Sequence, residues 1–254
     1  MADIALITGA SSGMGAEFAR QLDKRYAKLD EIWLLARNPD KLSLTASHLR
    51  HKTRILQIDL SDRGSRSILR EALSKEKPII RFLVNAAGYG VIGSASEISI
   101  EEQTGMVATN CEGLTEVTLA CLPYMSAGSE IIELASAAAF MAQPEFAVYA
   151  ASKAYALSFS RALRQELRQD RISVTAVCPG PVNTGFFDVA EKYHKTASFK
   201  KLSMARADQV VAKALKDAKA GRAVSVYGLP MNLSRFFAKI LPHSLIEPFF
   251  VRRK

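Results

Sequence analysis

The chain has 254 residues, 48% hydrophobic and 23% charged, the composition of a globular protein long enough to bury a sizeable core. Cys111, Cys121 and Cys178 form no CxxC or Cys/His cluster, which excludes a disulfide framework and a structural zinc site and leaves free thiols. The net charge of +9 comes from basic residues spread along the chain with no zinc-finger, RNA-binding or basic-zipper pattern, so solvated charge and an anionic cofactor are expected and a nucleic-acid partner is not.

The first residues lack a basic n-region and read as a strand, not a signal peptide. No apolar run approaches the ~18–20 residues of a membrane span. Residues 4–8 predict a strand, 9–15 a Gly-rich turn, and 16 to about 29 an amphipathic helix. Strands follow at 31–36, 54–58 and 80–84, separated by helices at 40–50 and 62–75. This alternation predicts βαβ units and a parallel sheet. Ser99-Ile100-Glu101-Glu102 is a capping box that opens a helix running towards Leu122, with Pro123 helping to end it. A fifth strand at 130–135, a helix at 146–167 and a sixth strand at 172–178 come next. Pro179-Gly180-Pro181 breaks the chain. Residues 182–206 read as a loop with short helical pieces, 208–219 as a helix and 223–227 as a seventh strand. The fold class is α/β: a doubly wound, seven-stranded parallel sheet flanked by helices, Rossmann-like, in one domain. That domain is expected over residues 1–228, with 229–254 as an apolar-basic C-terminal tail.

The tail carries Phe236, Phe237, Ile240, Leu241, Leu245, Ile246, Phe249 and Phe250 beside Arg235, Lys239 and Arg252-Arg253-Lys254. It reads as a segment packed on its own domain or a partner subunit, or as a peripheral membrane contact. Prolines at 230, 242 and 248 argue against one continuous amphipathic helix.

Three stretches carry chemistry. Tyr149 and Lys153 lie four apart on a predicted helix, on one face. A phenol titrates near 10, and an adjacent ammonium lowers that value, so the pair is a candidate proton donor or acceptor near pH 7. Gly9, Ser11, Ser12, Gly13, Met14 and Gly15 sit where strand becomes helix. Glycines there allow close backbone approach to a pyrophosphate, and the helix N-terminus offers free amides. The second strand ends Leu34-Leu35-Ala36-Arg37-Asn38, with no carboxylate for a ribose 2′-hydroxyl and with Arg37 placed to meet a 2′-phosphate. That favours NADP(H) over NAD(H), unless Arg37 is a surface charge. The histidines at 48, 51, 194 and 243 make no ligand pattern, and no metal is expected.

Taken in order and spacing, Thr8-xxx-Gly13-x-Gly15, Asn85-Ala86-Ala87-Gly88, Asn110, Ser136, Tyr149-xxx-Lys153 and Pro179-Gly180 resemble the short-chain dehydrogenase/reductase family over about residues 3–227. The resemblance implies hydride transfer between NADP(H) and a ketone or secondary alcohol. Tyr149 would exchange the proton with the carbonyl oxygen, and Ser136 would hydrogen-bond that oxygen. Lys153 would lower the phenol pKa and hold the nicotinamide ribose, and Asn110 would hold a water in a proton relay. Asn is a poor helix-interior residue, in keeping with a special role. The resemblance further implies Asp59 and Leu60 at the adenine, Asn85, Ala86, Ala87 and Gly88 along the cofactor, and Pro179, Gly180, Val182 and Thr184 near the nicotinamide. The substrate segments are expected at 89–96, 138–148 and 182–206, whose Tyr89, Val91, Phe140, Met141, Phe146, Phe186 and Phe187 imply an apolar cleft for a hydrophobic carbonyl compound such as a steroid. A 3-oxoacyl reductase and a non-catalytic NADP(H)-binding sensor or assembly protein are the alternatives. The tail replaces the short Gly-rich end of many members, so a homodimer through the long helices is expected in place of a tetramer. The expected location is cytoplasmic.

Overall fold

A computed structural model describes residues 1–195 and 204–240. Seven parallel strands form the central sheet: β1 (Asp3–Thr8), β2 (Glu31–Ala36), β3 (Lys52–Gln57), β4 (Ile79–Asn85), β5 (Met125–Leu134), β6 (Ser173–Val177) and β9 (Val224–Ser225), in the order β3-β2-β1-β4-β5-β6-β9. Central strands β1 and β2 are buried on both faces and carry near-continuous apolar runs, as parallel sheets covered by helices require. Edge strand β3 begins Lys-Thr-Arg and is only partly buried. Val182–Asn183 (β7) and Ala205–Arg206 (β8) pair as a separate small parallel sheet, and the short helix α7 (Phe186–Ala190) follows β7.

Helices cover both faces. On one side α1 (Gly13–Arg25), α2 (Pro39–Ala46) and α8 (Ala207–Lys219) enclose a core that includes Phe18, Leu22, Leu34, Leu42, Val211 and Leu215. On the other, α3 (Arg63–Glu76), the long helix 100–124 and α6 (Ala147–Glu166) pack over Leu6, Trp33, Leu69, Leu83, Val117 and Leu163. Strand order reverses between β1 and β4, which opens a crevice at their carboxyl ends.

Several helix starts follow from their caps. Asn38 accepts from Lys41 N, Asp62 from Gly64 N and Ser65 N, and Ser99 from Glu102 N. The helix expected to run unbroken from Ser99 is instead composite. It runs as α4 (Ile100–Val107), a π-helical turn (Ala108–Gly113) and α5 (Leu114–Cys121), and Pro123 lies in a closing 3-10 turn (Leu122–Tyr124). Residues Leu229–Ile240 form helix α9, with Pro230 tolerated in its first turn, where an amide would lack an intrahelical partner. The readings on Leu241, Leu245, Ile246, Phe249, Phe250 and the basic end lie outside the described residues. Among the described residues no helix is long and apolar enough to cross a membrane.

Candidate active site

The turn after β1 is built by close backbone approach. Gly9 has φ +66°, and a Cβ there would come within 2.8 Å of Ala87 Cα and N. Gly15 lies against the strand end, where a Cβ would sit 2.2 Å from Gly9 O. Thr8 Oγ1 accepts from Ala87 N at 3.1 Å, tying the ends of β1 and β4 together. Ser11, Ser12 and Met14 complete the turn, and exposed Ser12 is the N-cap of α1 without a side-chain cap bond. The amides of the first turn are thus left for an anion, and the turn fits a dinucleotide pyrophosphate.

Around this cradle the other expected positions fall as follows. Arg37 is exposed after β2 and forms no ion pair with a described residue. Asp59 Oδ1 accepts from Ser61 N at 2.9 Å and Ser61 Oγ at 2.7 Å, while Leu60 is buried. Asn85 turns into the sheet, donating to Thr118 Oγ1 at 2.8 Å and Glu133 Oε1 at 3.1 Å. It braces the strands, and the crevice is lined by Ala86, Ala87 and Gly88. Thr184 lies beside Gly13, where a Cβ would meet Thr184 Cβ at 3.4 Å. Val182 is buried in β7, and Pro179 O accepts from Ala137 N at 2.9 Å. Gly180 is covered by Met231 of α9, whose sulfur would lie 2.6 Å from an added Cβ.

The polar constellation lies across the ends of β4 and β5. Asn110, fully buried in the π turn, donates to Tyr89 O at 2.9 Å and Ser152 Oγ at 3.0 Å and accepts from Tyr89 N at 3.1 Å. Gly88 leaves the space between Asn110 and Lys153: a Cβ would sit 2.9 Å from Asn110 Oδ1 and 3.1 Å from Lys153 Nζ. Buried Lys153 donates to Leu134 O at 2.7 Å. Ser136 caps the turn Ala137–Phe140, accepting from Ala138 N at 3.1 Å, and its hydroxyl faces the Tyr149 phenol and lowers its pKa. Tyr149 packs between Phe146, at 4.2 Å between ring centroids, and Phe186, at 5.5 Å. Gly90 makes room for that stack, because a Cβ there would lie 2.5 Å from Tyr149 Cδ2.

The electrostatics correct one expectation. Lys153 is expected to draw the Tyr149 pKa down, yet burial pushes the phenol up to about 12, against the lowering hydrogen bond from Ser136. The Lys153 ammonium, 5.8 Å from the ring centroid, is not among the charges that shift the phenol. Burial lowers Lys153 itself to about 8, against Cys111, Glu133 and Cys178, which raise it. In this arrangement desolvation outweighs the charge pairing.

Two residues escaped the sequence reading. Ser152 joins Asn110 to the Tyr149 carbonyl, to which its hydroxyl donates at 2.8 Å. Its place three residues after Tyr149 was the signal, since that spacing shares a helix face. Glu133 is a fully buried carboxyl pushed up to about 7 by burial, which exceeds the lowering by Asn85, Thr118 and Lys153. It reads in sequence, with Glu130, as one of two carboxylates in an otherwise apolar strand. Among the described residues no group of three His, Cys, Asp or Glu side chains is placed to hold a metal ion.

Comparison with known proteins places the same architecture. Residues 3–195 match the family model described as short chain dehydrogenase. Sulfoacetaldehyde reductase 2 of Chromohalobacter salexigens is 34% identical over 195 residues, 73% of this chain and 75% of that protein. The short-chain dehydrogenase from Sphingobium yanoikuyae in complex with NADPH superposes with a TM-score of 0.80 at 24% identity, covering 100% of this chain and 97% of that one. The 3-ketoacyl-(acyl-carrier-protein) reductase from Brucella melitensis complexed with NADH gives 0.75 at 24% identity, covering 88% and 95%. With its Gly-rich turn, its sheet order and a family match over most of its length, the chain belongs to the short-chain dehydrogenase/reductase family of oxidoreductases.

Proposed function

We propose that residues 1–228 form an NADP(H)-dependent carbonyl reductase and alcohol dehydrogenase. The observation that carries the reading is the meeting of Ser136, Tyr149, Lys153 and Asn110 beside the cradle made by Gly9, Gly13, Gly15 and the 86–88 loop. A nicotinamide dinucleotide, when bound, supplies or accepts the hydride. The first-turn amides of α1 hold its pyrophosphate. Arg37, exposed and without an ion pair among the described residues, meets a 2′-phosphate, which supports NADP(H) over NAD(H).

The Tyr149 hydroxyl gives a proton to the substrate oxygen during reduction and takes it back during oxidation. Ser136 donates a hydrogen bond to that oxygen as charge develops on it. Lys153 keeps a cationic group behind the phenol and engages ribose hydroxyls. Asn110, held on three sides, supports the proton path through the Lys153 side. Asp59, Leu60, Pro179, Gly180, Val182 and Thr184 line the remainder of the cofactor site.

The apolar cluster of Val91, Ile98, Met106, Phe146 and Phe186 around Tyr149 supports a hydrophobic carbonyl substrate, such as a steroid. A 3-oxoacyl thioester is the second reading, favoured by the fold shared with the Brucella melitensis reductase. The enzyme is further proposed to be cytoplasmic and homodimeric, with the C-terminal segment as its contact to a membrane.

The test is NADPH and NADH oxidation with steroid ketones, 3-oxoacyl thioesters and small aldehydes. Tyr149→Phe is expected to lose activity by about 10²–10⁴-fold while cofactor binding stays within twofold. Arg37→Glu is expected to lower the NADPH-over-NADH ratio by about tenfold or more, as loss of a charge-assisted pair to phosphate requires. Cofactor binding without turnover on any carbonyl would favour the sensor reading.

A further inference from the structure

Inside the sheet, a carboxyl and an amide meet with only part of their hydrogen bonds made. Asn85 ends β4, and Glu133 is its register partner in β5. Both are buried, as is Thr118 of α5. Asn85 Nδ2 donates to Glu133 Oε1 at 3.1 Å and to Thr118 Oγ1 at 2.8 Å, and Thr118 Oγ1 reaches Glu133 Oε1 at 2.9 Å. Both amide hydrogens are then in use. Two buried oxygens remain, Glu133 Oε2 and Asn85 Oδ1, neither with a partner among the described residues. Two acceptors cannot satisfy one another. A proton on Oε2 turns one of them into a donor and completes a paired acid and amide, with one hydrogen bond in each direction. A bare carboxylate would instead be a buried charge with one oxygen unmet, which is strongly disfavoured.

Lys153 stands on the same side of the sheet. Glu133 faces the long helix and α6, as Ile131 does two residues earlier in the strand. Lys153 reaches in from α6 and donates to the carbonyl of Leu134, the residue after Glu133. The titratable groups around the carboxyl are Lys153 and Cys121 of α5, with Cys111 and Cys178 on the Lys153 side. Burial pushes all three thiols up, and the Tyr149 phenol with them, so none of these is charged near neutral pH. Glu133, raised to about 7, is the one acid of the group that changes charge there. Carboxylate and ammonium act on each other: Glu133 raises Lys153, and Lys153 lowers Glu133.

We infer that Glu133 holds a proton between its Oε2 and Asn85 Oδ1 and is a positioning residue for Lys153, leaving the ammonium uncompensated while protonated and becoming its buried counter-charge once ionised. The effect on cofactor and turnover rests on the role of Lys153 proposed above; the held proton does not. An adjacent carboxylate favours an ammonium. Above neutral pH the wild type therefore keeps Lys153 charged to a higher pH than a variant fixed in the neutral form. Glu133→Gln is that variant, because its amide is uncharged and supplies the donor that Asn85 Oδ1 needs.

The experiment is infrared titration of the full chain, following the C=O stretch of protonated carboxyls, with NADPH affinity and kcat/KM measured from pH 6 to pH 9. A protonated-carboxyl component at pH 6 is expected to be lost in Glu133→Gln and kept in Glu130→Gln, since Glu130 is the other buried carboxyl that is raised. The ratio of wild-type to Glu133→Gln NADPH affinity is expected to rise by about threefold or more from pH 6 to pH 9, and the ratio of kcat/KM with it. If Glu133→Gln loses no such component, Glu133 is a carboxylate bridged to Asn85 by water, and the proton assignment is overturned. A flat affinity ratio overturns the positioning role, because a merely structural contribution would be the same at both pH values. If the band and the affinity ratio behave as expected while no carbonyl compound is turned over, the enzyme reading alone is removed.

Discussion

At the scale of single residues, the buried carboxyl of Glu133 has the clearest thermodynamic signature. Its Oε1 is met by Asn85 and Thr118, while its Oε2 has no partner. A carboxylate in that position is half-solvated by protein and cut off from water, so the neutral acid is favoured. Its pKa rises from 4.5 to about 7, so the folded state holds a proton that the unfolded state has released between those values. Stability then falls as pH rises from 4.5 through 7 and is flat above. Glu130 is raised to about 7 by burial as well, against Lys219, and adds to the same slope. Glu133→Gln is therefore expected to remove part of the fall and to gain on the order of 2 kcal/mol at pH 8, measured by denaturant melts across pH 4–8. Lys153 acts in the opposite window: its pKa is lowered to about 8, so its cost is full below 8 and is relieved as pH rises towards 10.5. The positions of the site were legible because Tyr149, Lys153, Ser136 and Asn110 stand in a recognisable order. The Tyr149 pKa was not, because spacing reports which charges are near and says nothing of how dry the place is.

At the scale of elements, the β1–α1 junction and the α1–β3 clip are the points of least tolerance. Gly15→Ala would drive a methyl into Gly9 O, so it is expected to lose soluble yield or NADPH affinity by tenfold or more, read by expression and cofactor titration. At the other end of α1, buried Asp23 accepts from Arg50 N at 2.8 Å, His51 N at 2.9 Å and His51 Nδ1 at 2.7 Å. Burial raises its carboxyl, and the hydrogen bonds from His51 and Arg50 overcome this and hold it near 2. The sign is that of a depressed acid: the stabilisation is present above the ordinary carboxyl range and disappears as pH falls through about 2. Asp23→Ala should cost about 2–3 kcal/mol at pH 7 in urea melts, because four donors, Arg50 Nε included, lose their acceptor. The central strands and the helices between them were legible through burial on both faces and amphipathic period. Strand edges were less so. Expected at 130–135, β5 starts at Met125, because Ser126, Ala127, Gly128 and Ser129 look like a loop in sequence yet extend the edge after a register shift against β4. The two-residue pair β7 and β8 is too short to carry any periodicity.

At the scale of the whole molecule, the sheet order puts the cradle after β1 and the 86–88 loop after β4 on the two sides of one crevice, with Ser136 after the neighbouring strand. That arrangement followed from the alternation of strands and helices once the Gly-rich turn was assigned to the first unit. The outer surface was harder to read. Exposed Val107, Leu119 and Tyr155 lie on the long helices expected to join two copies. Light scattering is expected to give twice the chain mass for the wild type and a single chain mass for Leu119→Asp, since a charge at a twofold contact faces its own copy. The π turn sets a different kind of constraint. It carries one residue more than an α-helical turn would, so the helix segments on either side of it are out of phase by one position, about 100°. Loss of a single codon between positions 108 and 113 would leave a sound and even more regular helix. It would also rotate one half against the other, so that Asn110 could not keep Tyr89 and Ser152 while Leu114 and Val117 stayed in the core. Here the site depends on a count of residues as much as on their identity, and a gene library that samples only substitutions would never reveal it.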